Sequence, residues 1–532
     1  MPPMNRAVRP LSFVVICVLS ALVLALGTLP PARAAAAGVD WVAAATDAQI
    51  DSAFAQARAE GKPLLLYWGA KWCPPCNQLK ATLFNRADFA ERTRSFVAVQ
   101  VDGDGPGAQK LGARFKVRGY PTLVLFSSAG VETTRVLGSV EAPQVLEVLE
   151  LGLAGGRPLP AVLADARAGK PVSSAEWRLL AFHDWGSDEP ALVPAPQRAA
   201  LLASLAARCP AAEANAGTRL WLQAVAARSG AGKATAAERQ QMLAQLADPA
   251  ASRAQMDVLA GGTEDLVRVL APATGQPARA AFITAYDAAL ARFEADTALS
   301  RGDRQSALYA RVQLARLALP KDAKGAAVTA ALPPALVAAV REQAARYERE
   351  VRDPYERQAV IPGAAGLLAE VGLLDESEAL LQANLARSIS PYYLMSELAA
   401  IAKERGDKAA ALRWHEQAWA ASEGPATRLQ WGASYLAALV ELAPQDSARI
   451  ERAAAKLLDE AATQPGAFYE RNARSLQRAG KKLREWNAGG AHADTMARLQ
   501  RQLGSMCSRV DSTDAQRATC NALLKPAPKP AA

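Results

Sequence analysis

Two cysteines separated by two residues, Cys73 and Cys76, are the side chains in this sequence best placed to do chemistry. They sit in Trp72-Cys73-Pro74-Pro75-Cys76, after the apolar run 64–68 and ahead of a helical pattern through Leu79 and Leu83. The attacking species in disulfide exchange is a thiolate, and a free cysteine with a pKa of about 8.5 is mostly protonated at neutral pH. On the first turn of a helix the sulfur meets unpaired N–H groups and the positive end of the helix dipole, and both stabilise the thiolate. The spacing puts the two sulfurs on one face. They can close a small disulfide ring, and Cys76 can resolve a mixed disulfide held on Cys73. Half of a zinc site and a purely structural disulfide are the other uses of such a pair. A zinc site needs further ligands at related spacings; this segment has none, and His183, His415 and His492 are far apart. No metal and no cofactor are expected.

The surrounding residues supply the elements that must hold this pair. Thr46-Asp-Ala-Gln49 is a capping box that opens a helix with Ile50, Ala53, Phe54 and Ala57 on one face. Gly61 ends it and Lys62-Pro63 leads into the first strong strand. Residues 96–101 read as a second strand, leaving into Asp102-Gly103-Asp104-Gly105. A short helix follows over 109–115, then Gly119-Tyr120-Pro121-Thr122, a strand over 123–126, a turn, and a hairpin partner over 131–137. Gly138 precedes a helix over about 142–151. The order is α, β, α, β, α, β, β, α, with one extra strand expected before Thr46.

With Trp72-Cys-Pro-Pro-Cys76, Tyr120-Pro121-Thr122 and Gly138 in that order, residues 40–152 resemble the thioredoxin-like superfamily. The stretch from Cys76 to Phe89 looks most like the thioredoxin-like domain that ends periplasmic thiol:disulfide interchange reductases. The resemblance implies a central mixed sheet flanked by helices and a cis bond between Tyr120 and Pro121 facing the dithiol. It implies Cys73 as nucleophile, Cys76 as resolving thiol, and Trp72, Tyr120 and Pro121 at the substrate groove, with strand-like hydrogen bonding to an extended client. Trp72 is expected as a surface aromatic over the dithiol, a core tryptophan being the other reading. One position departs from the pattern. Where thioredoxins commonly carry a buried Asp six residues before the first cysteine, this chain has Tyr67, expected as a packing residue.

The remainder bounds what such a domain is attached to. The chain has 532 residues, 51% hydrophobic and 21% charged, which is too long for one domain and too apolar for wholesale disorder. Residues 1–36 read as a signal peptide, with Arg6 and Arg9 before an apolar run and Ala32-Arg33-Ala34 as a cleavage signal; an uncleaved run would be a membrane anchor, and Cys17 is filler within it. The expected units are 38–154, the α/β thioredoxin-like domain; 155–172, a linker; 173–330, an α-helical domain; 331–522, helical hairpins stacked in a solenoid-like way; and 523–532, a disordered tail. Beyond residue 155 strand signals vanish, and Ser173-x-x-Glu176 and Thr235-x-x-Glu238 are further capping boxes. Gly372 and Gly406 end helices at a spacing of about 34 residues, and the segment from Leu398 to Ala418 resembles one tetratricopeptide repeat. Trp414, Trp419 and Trp431 fall at core positions of helices.

Cys507 and Cys520 are expected to pair as a structural disulfide in an oxidising compartment. Cys209 reads as a buried thiol, a third redox cysteine being the sharper alternative. The formal net charge of +9 is spread along the chain without a basic run, so nucleic acid is not an expected partner.

Together these features describe an exported thiol–disulfide oxidoreductase, in the periplasm or outside the cell, with reduction of protein disulfides favoured over oxidation. Its partners would be disulfide-containing clients and a thiol protein that donates or accepts electrons. The competing description is a helical-repeat scaffold that uses the first domain for docking. The redox reading requires a dithiol that a polypeptide can approach.

Overall fold

A computed structural model describes residues 38–525, apart from 138–141, 154–155, 187–191, 229–231, 274–275, 318 and 320–330. The leader, Gly138 and residues 526–532 of the expected tail lie outside the described residues.

The first unit is built around one five-stranded sheet. In chain order its elements are β1 (Val42–Ala43), α1 (Asp47–Glu60), β2 (Leu64–Gly69), α2 (Pro74–Leu79), α3 (Ala87–Thr93), β3 (Val97–Asp102), α4 (Ala108–Arg114), β4 (Thr122–Phe126), β5 (Glu132–Leu137) and α5 (Ala142–Leu153). A single π-helical segment, Lys80–Phe84, extends α2. The strand order is β1-β3-β2-β4-β5. The first two pairings are parallel and the last two antiparallel.

The central strand β2 is buried on both faces, which is why it reads as an unbroken apolar run rather than an alternation. Leu64, Leu66 and Trp68 face a core with Ile50, Ala57, Val99 and Leu111. Leu65 and Tyr67 face the opposite core with Leu79, Leu83, Phe89 and Val148. Helix α1 starts as its capping box requires: the Gln49 N–H donates to Thr46 Oγ1 and the Thr46 N–H to Gln49 Oε1. It ends at Gly61 with φ +64°, a left-handed cap that suits glycine.

From Leu159 onward the described residues form helices and no strand. Residues 155–172 are not a plain linker, because they contain the helix Leu159–Ala168, whose Leu159, Val162 and Leu163 are buried. Nor does the expected boundary at 330 fall between separate cores. The helix Arg301–Arg316 puts Ala307, Ala310 and Leu314 into the core before it and Leu308 and Val312 into the core after it. Gly372 (φ +84°) and Gly406 (φ +79°) close helices in left-handed turns, the second joining Pro391–Glu404 to Lys408–Ala421 as a hairpin. Trp419 and Trp431 are buried, and Trp414 packs partly buried beside a neighbouring core.

Cys507 and Cys520 are joined, with a Cα–Cα distance of 5.7 Å. Both are buried, and Leu523 and Leu524 pack in the same core, so the first residues of the expected tail are included in the fold. Closing a loop of 13 residues' separation is worth about 3 kcal/mol in the chain-entropy model. A Cys507→Ala, Cys520→Ala double variant is therefore expected to lose about that much stability in urea unfolding; an unchanged midpoint would show that the loop is held without its crosslink.

Candidate functional site

The turn from β2 into α2 carries the dithiol. Cys73 is the N-cap of α2 and Pro74 its first residue. Cys73 and Cys76 are joined in a disulfide, with their Cα atoms 5.2 Å apart. The Cys76 N–H donates to Cys73 Sγ at 3.1 Å. Pro74 and Pro75 have no N–H to offer, so the first turn presents this donor to the sulfur and no other ahead of it. The buried Asn77 braces the turn: its Nδ2 donates to the carbonyls of Lys71 (2.8 Å) and Cys73 (3.0 Å).

The Tyr120–Pro121 bond is cis. It enters β4, where Thr122 pairs with Trp68, and Tyr120 and Trp72 both pack on the cluster of Ala70, Cys73 and Cys76. Gly103 makes room for Tyr120, since a Cβ there would fall 2.2 Å from the tyrosine ring. Gln109 Nε2 donates to Tyr120 Oη at 3.1 Å and to the Gly103 carbonyl at 2.7 Å. All five residues expected at the site thus lie at one edge of the sheet.

Behind them Tyr67 is fully buried between Trp41 and Phe84. Burial, and then the Asp102 charge, push its hydroxyl well above the usual tyrosine range. That hydroxyl has no hydrogen-bond partner. It packs, and it is in no state to take a proton at neutral pH. Among the described residues no group of three or more His, Cys, Asp or Glu side chains is placed to hold a metal ion.

Residues 50–152 match the family model described as a thioredoxin-like domain. This segment of the chain is a thioredoxin-like domain. The thiol:disulfide interchange protein DsbD 1 of Pseudomonas aeruginosa is 31% identical over 114 residues, which cover 21% of this chain and 19% of that protein. The thiol:disulfide interchange protein DsbD of Ralstonia nicotianae is 30% identical over 137 residues, 25% of this chain and 22% of that protein. A solution structure of a thioredoxin from Thermus thermophilus shares 29% identity, covering 19% of this chain and 80% of that one, with a TM-score of 0.18. The chain therefore spans about a fifth of the length of the curated relatives it matches.

The thioredoxin-like domain does not present its dithiol to solvent. Cys73 is 1% exposed and Cys76 0%, so the dithiol that the redox reading requires a polypeptide to approach is covered, and Trp72, expected as a surface aromatic, is partly buried. The cause is the helical region, which packs on the same edge. Gln358 Nε2 donates to the Trp72 carbonyl at 3.1 Å. The Trp72 ring stacks on Tyr393 (centroids 5.4 Å apart, 20° between planes) and meets Tyr120 edge-on at 5.3 Å. The Arg471 guanidinium lies 4.3 Å from the Trp72 centroid and 6.0 Å from that of Tyr120, within cation–π range.

Asp104 joins the thioredoxin-like domain to the helical region. Its carboxylate accepts from Trp72 Nε1, from Thr427 Oγ1 (2.6 Å) and from Arg471 Nη1 (3.0 Å). The Arg471 backbone N–H in turn donates to Gln109 Oε1 at 2.9 Å. The Asp104 and Arg471 side chains are 10% and 9% exposed, so this is a buried ion pair. Sequence reading passed over Asp104, Gln109, Gln358 and Arg471. Asp104 carried a weak signal, an acid just past the end of β3, on the sheet edge where the dithiol sits. Arg471 carried none, since it is 367 residues from Asp104 along the chain.

Cys209 is the free cysteine among the described residues, and it is half-buried rather than fully buried. Its Sγ donates to the Glu213 carbonyl at 3.5 Å. Burial, and then the Glu213 charge, raise its thiol pKa, so less thiolate is present at any given pH. Alkylation of Cys209 in the native protein is expected to lag a cysteine peptide at pH 8 and to catch up as pH rises. Equal rates at pH 8 would contradict this.

Proposed function

We propose that this chain is a thiol–disulfide oxidoreductase that acts on protein disulfides, as a reductant in preference to an oxidant, after export from the cytoplasm. The observation that carries the reading is the Cys73–Cys76 pair at the mouth of α2, packed against Tyr120 beside the cis Pro121, in a domain similar to a segment of proteins named for thiol:disulfide interchange.

In the reduced chain the Cys73 thiolate attacks one sulfur of a client disulfide. A bond forms between Cys73 Sγ and that sulfur, and the other client sulfur leaves as a thiolate. Cys76, deprotonated in turn, attacks Cys73 Sγ, closes the intramolecular disulfide and releases the second client thiolate. The client gains two electrons and two protons, and the chain loses two electrons. A thiol protein must then reduce the pair again. Cys76 is well placed for the second attack because its Sγ is already bonded to Cys73 Sγ in the structure. Tyr120 and Pro121 would pair with the client strand beside its disulfide.

Export is supported by the sequence of residues 1–36 and by the paired Cys507 and Cys520, which suit an oxidising compartment. Among the described residues no helix is long and apolar enough to cross a membrane. The reading is tested with insulin as client and dithiothreitol as electron source. Wild-type protein is expected to accelerate insulin reduction and Cys73→Ser to leave the uncatalysed rate. Identical rates would remove the reading. The covered dithiol gives some weight to the scaffold alternative, in which the helical hairpins bind partners and the thioredoxin-like domain docks without exchanging electrons.

A further inference from the structure

We infer that the helical region is a built-in cover over the dithiol, latched by Arg471 on Asp104 and Trp72, and that a protein client reaches Cys73 only after this latch opens. The inference rests on the oxidoreductase reading above.

Three independent observations carry it. The first is position. Gln358, Tyr393 and Arg471 come from three separate helices and converge on Trp72, the residue next to the nucleophile. Arg471 also lies over Tyr120, whose backbone a client strand would have to reach. The cover thus occupies the face on which a client would dock.

The second is chemistry. Interfaces meant to be permanent are dominated by apolar contact. This one is centred on a buried carboxylate that takes Trp72 Nε1 from its own domain and Thr427 Oγ1 and Arg471 Nη1 from the helical side. Such groups can be rehydrated when the two sides separate, and the apolar surface that opening exposes is mainly that of Trp72, Tyr120 and Tyr393. Around the rim the contacts are polar as well: Gln78 Nε2 donates to Ser300 Oγ and Asp303 Oδ1, and Lys71 pairs with Glu423 at an exposed position.

The third is backbone strain. Glu470, immediately before Arg471, has φ +39°, a region that side chains with a Cβ rarely adopt. Strain of this kind persists only where the surroundings enforce it. The contacts around it are those of Arg471, whose N–H bonds Gln109 and whose guanidinium holds Asp104, together with Tyr469 Oη on Asp514 and Arg474 on the Glu470 carboxylate. The latch residue thus sits beside a strained position, and such positions cluster at switch regions.

The test uses the full chain. In the reduced wild type, a maleimide carried on a bulky polyethylene glycol is expected to modify Cys73 more slowly than N-ethylmaleimide does, by a larger factor than the same two reagents show on a cysteine peptide. Arg471→Met removes the ion pair with Asp104 and the cation–π contacts with Trp72 and Tyr120, and Tyr393→Ala removes the stack on Trp72. Both are expected to raise the bulky-reagent rate and the rate of insulin reduction by at least about tenfold, the change for a closed form that outnumbers the open one by that factor or more. Thermal unfolding of each variant checks that the domain is intact. If either intact variant matches wild type in both rates, or if wild-type Cys73 shows no size discrimination, the cover is overturned. The two readings fail differently. Insulin reduced equally fast by wild type and variants leaves the chemistry and removes the cover. Size discrimination that the variants abolish, without insulin reduction by any form, leaves the cover and removes the chemistry.

Discussion

A Cys76→Ala variant is expected to accumulate a covalent adduct with its client, joined through Cys73, while Cys73→Ser accumulates none. The effect should be all or nothing. Cys73 is the N-cap residue with a backbone N–H on its sulfur, and a charge-assisted hydrogen bond of that kind favours the thiolate. Cys76 lies one turn further into the helix, and the proposed mechanism assigns it to the mixed disulfide and not to the client. Without it the mixed disulfide has no intramolecular exit. Non-reducing electrophoresis and mass mapping of the crosslink check this. Adducts that form equally through Cys209, or through Cys76 in Cys73→Ser, would contradict the assignment.

Asp104→Ala is expected to cost about 3–5 kcal/mol, the usual penalty for leaving a buried charge without its partner. The substitution strands the Arg471 guanidinium and also removes the acceptor of Trp72 Nε1 and Thr427 Oγ1. A double variant, Asp104→Leu with Arg471→Met, should recover much of the loss, because a buried pair replaced by apolar residues of similar size is often neutral. Urea unfolding of the wild type, the Asp104→Ala variant and the double variant measures both numbers. A single variant as stable as wild type would show that the pair is not made in solution and that the thioredoxin-like domain and the helical region sit apart.

The features of this molecule that could be read from sequence are the local ones. The run 64–68 announced the strand β2, and Thr46 and Gln49 announced the start of α1. Each depends on residues within a few positions of one another. The placement of Cys73 and Cys76 on the first turn of a helix, close enough to pair, was legible for the same reason. The helix Leu159–Ala168 was missed because Gly156, Pro158 and Pro160 read as loop residues, although Pro158 and Pro160 sit at its N-terminal end, where the missing N–H costs nothing. The fate of Trp72 was beyond local reading. Its partial burial depends on Tyr393 and Arg471, which tertiary packing alone brings to it, and an arginine in a strongly amphipathic helix reads as solvated surface until its partner is seen.

The reduction potential of the Cys73–Cys76 pair tests the central claim most directly. The chain is equilibrated in dithiothreitol buffers of graded ratio, and Cys73, Cys76, Cys507 and Cys520 are scored separately by alkylation and mass mapping, so that the second disulfide serves as an internal reference. A reversible two-electron transition of Cys73–Cys76 near about −270 mV, with Cys507–Cys520 still oxidised, is the predicted result. A Cys73–Cys76 pair that stays closed below about −300 mV alongside Cys507–Cys520 would be a structural crosslink, and would contradict it.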